Sequence, residues 1–103
     1  PGLAAAAGLE AFGEAEYDKA FINLASARQT MQNAGGSHAQ RDVFERLTID
    51  SGIRAGFLDE AEAILAQRTK QRDGKIDGYA AARQQLIADG RKAAGVIAAA
   101  TAQ

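Results

Sequence analysis

The sequence contains no cysteine, no tryptophan and one proline, and its aromatic residues are four phenylalanines and two tyrosines. Without cysteine, the chain can form neither disulfides nor thiolate metal sites. The runs of β-branched and aromatic residues that strands need are missing, whereas the abundant alanine has the highest helix propensity. At 103 residues, the chain is expected to form a single all-α domain.

Neither sign of charge dominates the chain. Twelve basic and thirteen acidic residues give a net charge of −1, and the two signs are mixed along the sequence. This mixture disfavours nucleic acid and anionic membranes as partners. No apolar run approaches the roughly 20 residues that span a bilayer. The start, Pro1-Gly2-Leu3, has neither an initiator methionine nor the basic residues of a signal peptide. We therefore expect a cytoplasmic protein and a fragment of a longer chain.

Glycines and the spacing of apolar residues divide the chain into helical segments. The predicted segments are a hairpin over 1–33, a glycine loop over 34–37, a hairpin over 38–72 and a C-terminal helix over 77–101. A left-handed turn is predicted at Gly13. Gly90 could break the last helix into a hairpin, since glycine costs about 1 kcal/mol relative to alanine inside a helix. We favour one long helix.

Several apolar residues recur at steps of three and four, which places them on one helix face. The second helix has Tyr17, Ala20, Phe21, Leu24, Ala27 and Met31 on this face. The inward residues predicted for the third helix are Ala39, Val43, Leu47 and Ile53, with Phe44 beside them. Those of the fourth helix are Ala61, Ile64 and Leu65. The last helix repeats this spacing at Tyr79, Ala82, Leu86, Ile87, Ala93, Ala94 and Ile97.

A turn followed by a helix occurs twice in the sequence. The string Gly13-Glu14-Ala15-Glu16-Tyr17-Asp18-Lys19-Ala20 recurs as Arg54-Ala55-Gly56-Phe57-Leu58-Asp59-Glu60-Ala61. The interval from Ala20 to Ala61 is 41 residues. It exceeds the roughly 34 residues of a tetratricopeptide repeat, and the extra residues fall around positions 35–41.

The first hairpin resembles a tetratricopeptide repeat. Gly8 stands at the small position between the helices, and the second helix carries matching residues at Tyr17, Ala20, Leu24 and Ala27. The match is partial, because Ala4 and Ala11 replace two usual aromatic residues. The second copy has Ile49 where a small residue is preferred and Arg68 where alanine is.

The string Gly35-Gly36-Ser37-His38-Ala39-Gln40-Arg41-Asp42-Val43-Phe44 resembles the C-terminal part of the tetratricopeptide repeat protein 38-like family, and the likeness covers residues 12–73. It implies antiparallel helical hairpins stacked as a right-handed solenoid, followed here by a long C-terminal helix. It also implies a helical interaction protein, and it carries over no catalytic residues.

The candidate binding residues lie in this polar string: Ser37, His38, Gln40, Arg41 and Asp42. Ser37 and Gln40 have the spacing of a capping box. Asp42 lies one turn after His38 and could orient the imidazole as a general base. Capping is favoured over catalysis, because Arg46 competes for Asp42 and a helix N-terminus favours neutral imidazole.

Two kinds of ligand are weighed for the same string. One histidine with scattered carboxylates does not make a metal site. Gly35-Gly36-Ser37 could hold an anion on free backbone amides, but the string lacks the lysine and the spacing of a phosphate loop. We therefore predict no metal and no cofactor, and we favour an ordinary glycine loop followed by a helix cap.

These observations predict a protein–protein interaction or scaffold module with no catalytic activity. Its expected partner is a protein or peptide bound in the groove of a helical solenoid. Two alternatives remain: an accessory domain of an enzyme, with a site around Ser37-His38-Arg41-Asp42, and a homodimerisation domain. The alanine-rich first and last helices offer flat faces on which missing repeats or a second copy of the chain could dock.

Overall fold

The computed structural model describes residues 2–33 and 38–101, with the backbone only for residues 2, 29, 31–33 and 38–40. This part of the chain forms helices without strands, which confirms the all-α class. The helices are α1 (Gly2–Gly13), α2 (Tyr17–Asn33), α3 (His38–Ala55), α4 (Leu58–Gln71) and α5 (Gly78–Thr101). Each helix packs against the next one along the chain, and α5 also contacts α3. The glycine loop predicted over 34–37 lies outside the described residues.

Helix α5 continues through Gly90 without a break. A Cβ atom at Gly90 would lie 3.0 Å from Leu58 Cδ1 of α4, which is tighter than ordinary van der Waals contact. Glycine therefore serves here to let α5 pass close to α4 rather than to end the helix. The prediction of one long helix is confirmed.

The chain does not reverse direction at Gly13. The left-handed turn between α1 and α2 is therefore predicted at the wrong residue. Gly13 is still helical, and the left-handed residue is Ala15, with φ 61°. The Ala15 N–H donates to the Phe12 carbonyl at 3.1 Å and the Glu16 N–H to the Ala11 carbonyl at 2.8 Å. These two bonds form a Schellman motif, which requires the left-handed conformation at the residue that follows the helix cap.

The turn from α3 to α4 is built in the same way. Gly56 has φ 88°, its N–H donates to the Ile53 carbonyl at 3.2 Å, and the Phe57 N–H donates to the Gly52 carbonyl at 2.8 Å. Ala15 and Gly56 occupy the same place in the repeated string. The repeat in the sequence therefore corresponds to a repeated turn in the structure.

Replacing Ala15 by glycine is expected to raise the free energy of unfolding by about 0.5–1 kcal/mol. The left-handed conformation costs a residue with a Cβ about 1–2 kcal/mol, and part of the gain is lost to the greater freedom of glycine in the unfolded chain. The measurement is urea denaturation followed by circular dichroism. Gly56→Ala is the matched reverse change and should lower stability by a similar amount. A less stable Ala15→Gly variant would contradict the assignment of the turn.

The core confirms the faces predicted for α2 and α4. Its buried apolar side chains are Ala11, Ala20, Phe21, Leu24, Ala27, Ile49, Ala61, Ile64, Leu65, Ala80 and Ile87. The side chain of Met31 lies outside the described residues. On α5, Ile87 is buried, whereas Leu86 and Ile97 are exposed.

The face predicted for α3 is wrong at Val43, which is 55% exposed. The side chain of Ala39, also predicted to point inward, lies outside the described residues. Helix α3 packs between α2 and α4, so its buried side is broad and includes Thr48 and Ser51. Their hydroxyls donate to backbone carbonyls one turn earlier, each at 2.7 Å. Because their hydroxyls are hydrogen-bonded, these polar side chains can be buried in the core. A search for apolar spacing does not identify such positions.

Candidate functional site

The structure describes part of the predicted binding motif. Ser37 lies outside the described residues, as do the side chains of His38 and Gln40, whose backbone begins α3. The capping and anion-binding predictions therefore stay predictions. The side chains of Arg41 and Asp42 are described and are partly buried.

The Asp42 carboxylate forms ion pairs with three arginines. Arg46 Nε lies 2.9 Å from its carboxylate, which confirms the pairing predicted within α3. Arg68 Nε lies at 2.8 Å and Arg72 Nη2 at 3.2 Å. Burial by itself would raise the pKa of Asp42, but the hydrogen bond from Arg68 and the charges of the three arginines bring it below the ordinary 3.8. Asp42 is therefore a carboxylate that is held by arginine side chains.

Arg68 joins α4 to both α3 and the start of α5. It is 2% exposed, although arginine is mostly exposed in proteins unless it is paired. In addition to Asp42, its guanidinium donates to Asp77 through Nη2 at 3.0 Å and Nη1 at 3.3 Å. Burial would lower the pKa of Arg68, but the hydrogen bonds to Asp77 and Asp42 raise it. Two carboxylates thus offset the cost of burying this cation.

Asp77 immediately precedes α5 and has two roles. Its Oδ1 atom accepts the Ala80 N–H at 2.9 Å, which caps the helix N-terminus. The same carboxylate pairs with Arg68. The hydrogen bonds from Arg68 and from the Ala80 N–H lower the pKa of Asp77 to about 2. The residue that caps α5 therefore also fixes the start of that helix to α4.

Tyr79 lies in the first turn of α5 and faces α3. Its hydroxyl can donate to Asp50 Oδ1 at 2.9 Å or to the Arg46 carbonyl at 3.0 Å. The guanidinium carbons of Arg46, Arg68 and Arg83 lie 4.8, 4.8 and 4.2 Å from the ring centre, within the range of cation–π attraction. Burial raises the pKa of Tyr79, and the hydrogen bond to Asp50 adds to the effect, so the phenol stays a donor.

We call these connected residues the Tyr79 cluster: Asp42, Arg46, Asp50, Arg68, Arg72, Asp77, Tyr79 and Arg83. Arg83 Nε completes the cluster by pairing with Asp50 at 2.9 Å. Part of the cluster has a signal in the sequence that apolar spacing does not reveal, because charges alternate at steps of four in Asp42, Arg46, Asp50 and Arg54. The chemistry of the cluster is ion pairing that holds α5 against α3 and α4. Within the described residues, no group of histidines and carboxylates could hold a metal ion.

Two smaller ion-paired groups form further connections between helices. Arg28 of α2 donates to Glu45 of α3 at 2.8 Å and to Gln67 of α4 at 2.7 Å. Arg91 of α5 pairs with Asp59 and Glu62 of α4 at 2.6 and 2.7 Å. Apart from the α1–α2 interface, each interface between neighbouring helices thus includes an arginine that pairs across it.

An exposed surface borders the cluster along the contact between α3 and α5. We call it the α3–α5 face and define it by Val43, Arg46, Arg54, Arg83 and Leu86. Val43 is 55% exposed and Leu86 is 49% exposed. Arg46 and Arg54 are exposed, although Arg46 pairs with Asp42 and the Arg54 guanidinium also contacts the Tyr17 ring of α2, 5.1 Å from its centre. Arg83 is partly buried. The face therefore combines apolar and cationic side chains on two helices that the cluster holds together.

Acid is expected to release α5 from the rest of the fold. The folded-state pKa of Asp77 is about 2, below the ordinary 3.8. A lowered pKa means that the stabilisation is present above 3.8 and is lost as the pH falls from 3.8 towards 2. Tyrosine fluorescence should follow the change, because Tyr79 leaves its arginines. Asp77→Asn keeps the capping oxygen without the charge. The acid-induced change in fluorescence should therefore be smaller in this variant, because Asp77 no longer contributes to it. An unchanged acid transition in this variant would contradict the role of Asp77.

Comparison with known proteins adds no family. No protein-family model matches the chain, and neither a curated protein nor a solved structure gave a significant match. Among the described helices, none has both the length and the apolar character needed to cross a membrane.

Proposed function

We propose that the chain is a protein-interaction or scaffold module of the tetratricopeptide type, with no catalytic activity of its own. The observation that carries the proposal is the recurrence of one hairpin turn at an interval of 41 residues. Ala15 and Gly56 have the same left-handed role, and Ala20 and Ala61 are both 0% exposed at the start of the following helix. In this proposal, helix α5 would be the first helix of a third hairpin.

The same proposal extends to the arrangement and to the family. A right-handed solenoid would place α1, α3 and α5 along one surface, and the contact between α3 and α5 supports this order. Membership of the tetratricopeptide repeat protein 38-like family rests on the polar string around Ser37. A cytoplasmic location is proposed with it.

The α3–α5 face is the proposed binding surface. Helical solenoids bind extended peptides along the surface that successive repeats share. Exposed Val43 and Leu86 would contact apolar side chains, while Arg46 and Arg54 would contact carboxylates. We therefore propose a peptide that contains both apolar and acidic residues as the partner. The Tyr79 cluster favours such binding because a surface that is already fixed loses less conformational entropy when it binds.

The test is a selection from a displayed library of random peptides, followed by calorimetric titration of the enriched sequences. The proposal expects enriched peptides to be acidic and apolar. Val43→Glu should weaken their binding by about tenfold or more, equivalent to 1.4 kcal/mol, because it removes an apolar contact and repels carboxylates. Ile22→Glu is the matched control, because Ile22 is 61% exposed on α2, outside the α3–α5 face. Peptides that bind both variants equally well, or a library without enrichment, would contradict the proposal.

The enzyme-accessory alternative gains no support from the described part of the motif. It requires Asp42 to orient His38, whereas Asp42 is held by Arg46, Arg68 and Arg72. The scaffold proposal needs no such role from Asp42, since the aspartate contributes by fixing α5.

A further inference from the structure

The outer face of α1 is apolar and uncovered. Leu3, Ala6, Ala7 and Glu10 are all exposed, and Leu3 is 89% exposed. Leu3, Ala6 and Glu10 follow one another at steps of three and four, and Ala7 lies one turn after Leu3, so the four residues share one side of the helix. The outer helices of a repeat stack normally present a polar side to water. This apolar side therefore requires an explanation.

The last part of α5 has the same property. Every residue from 91 to 101 is exposed, including Val96 at 64% and Ile97 at 66%. Lys92, Val96 and Ala99 recur at steps of four and three along one side of the helix. Helix α5 thus extends past α4 with apolar side chains that contact no other described helix.

The charges on these two surfaces are complementary. The one charged residue of α1 is Glu10, and the charged residues of α5 after Gly90 are Arg91 and Lys92. Arg91 is already paired with Asp59 and Glu62. Within the described residues, neither Lys92 nor Glu10 has an ion-pair partner of opposite charge.

We propose that copies of this chain associate head to tail, with α1 of one copy packed antiparallel on residues 91–101 of α5 of the next. The two surfaces have similar lengths, about 18 Å for the 12 residues of α1 and about 16 Å for this part of α5. An antiparallel pairing that sets Glu10 opposite Lys92 also sets Ala6 opposite Val96 and Leu3 opposite Ala99. Each larger side chain then meets an alanine, which lets the two helices approach closely.

Such a contact joins two different surfaces, so each copy keeps one surface free for another copy. Association therefore continues into chains of copies instead of closing as a symmetric dimer. The contact uses the ends of the fold and leaves the α3–α5 face accessible. It is independent of the proposed peptide binding, and Val43→Glu should associate like the unmodified chain.

The first experiment is sedimentation equilibrium of the full chain over a series of concentrations. The average mass should rise with concentration past that of a dimer. Leu3→Glu blocks the α1 surface and Val96→Glu blocks the α5 surface, so each variant by itself should remain monomeric. An equimolar mixture of the two should form a dimer and no larger species, because one intact surface of each kind remains. Ile22→Glu, an equally exposed change on α2, should associate normally.

A charge exchange provides the second test. Glu10→Lys and Lys92→Glu should each weaken association about fivefold, and the double variant should recover it, which a misfolded chain would not do. A chain that is monomeric at all concentrations would overturn the proposal. So would a Leu3→Glu variant that still dimerises, since that outcome indicates symmetric pairing of α5, or a mixture of the blocked variants that stays monomeric.

Discussion

Replacing Arg68 by alanine is expected to lower the free energy of unfolding by roughly 3–5 kcal/mol, the range found when one partner of a buried ion pair is removed. The guanidinium is almost completely buried, at 2% exposure, and it binds Asp42 and Asp77 at the same time. Its loss leaves the two carboxylates to the more exposed Arg72 and removes one of the three guanidinium groups around the Tyr79 ring. The measurement is urea denaturation followed by circular dichroism, with the change in midpoint converted through the slope.

Arg72 offers a matched control for Arg68, because it pairs with the same two aspartates. Its side chain is 44% exposed, and its distances to Asp42 and Asp77 are 3.2 and 3.7 Å. Arg72→Ala should therefore cost less than about 1 kcal/mol. Arg68→Lys should fall between the two alanine variants, since it keeps the charge but loses the forked geometry. Equal losses for Arg68→Ala and Arg72→Ala would show that the burial of Arg68 does not matter.

Gly52→Val is expected to lower the free energy of unfolding by about 3 kcal/mol, at the upper end for overpacked cores. A Cβ atom at Gly52 would lie 2.9 Å from both Cδ1 and Cε1 of Phe21 and 3.1 Å from Ala61 Cβ. Phe21 is 8% exposed and Ala61 is 0% exposed, so neither can move into free space. The added methyl groups must push α3 away from α2 and α4, which thermal unfolding should report as a lower midpoint.

Two comparisons isolate this close approach from the general effect of valine in a helix. Gly13→Val adds the same side chain where no atom lies within 4 Å, and it should change stability by less than about 0.5 kcal/mol. In a Phe21→Leu background, Gly52→Val should cost less than in the unmodified chain, because the ring it meets is gone. An equal cost in both backgrounds would place the steric conflict elsewhere.

Secondary structure could be predicted from the sequence because the relevant signals are local. The faces of α2 and α4 follow from apolar spacing, since each of these helices buries a stripe of apolar residues such as Leu24 and Leu65. The reversal at Ala15 could not be predicted in the same way. It depends on where the hydrogen bonds of α1 end, and alanine does not mark a left-handed position.

The Tyr79 cluster could not be predicted for a different reason. Arg68 and Asp77 are separated from Asp42 by 26 and 35 positions, and the packing of α3, α4 and α5 brings them together. Nothing in the neighbouring sequence marks an arginine for burial either, since arginine is mostly exposed unless it is paired. What the sequence could indicate was the alternation of charge in α3, which marks a face suited to a charged neighbour.

The association of the chain with a partner is the central claim, and one measurement tests it most directly. A ¹⁵N-labelled sample should be titrated with a peptide selected by display, and its amide chemical shifts followed. We expect the changes to concentrate around Val43, Arg46 and Arg54 on α3 and around Arg83 and Leu86 on α5. Shifts confined to α1, α2 and the outer side of α4 would contradict the α3–α5 face as the binding surface.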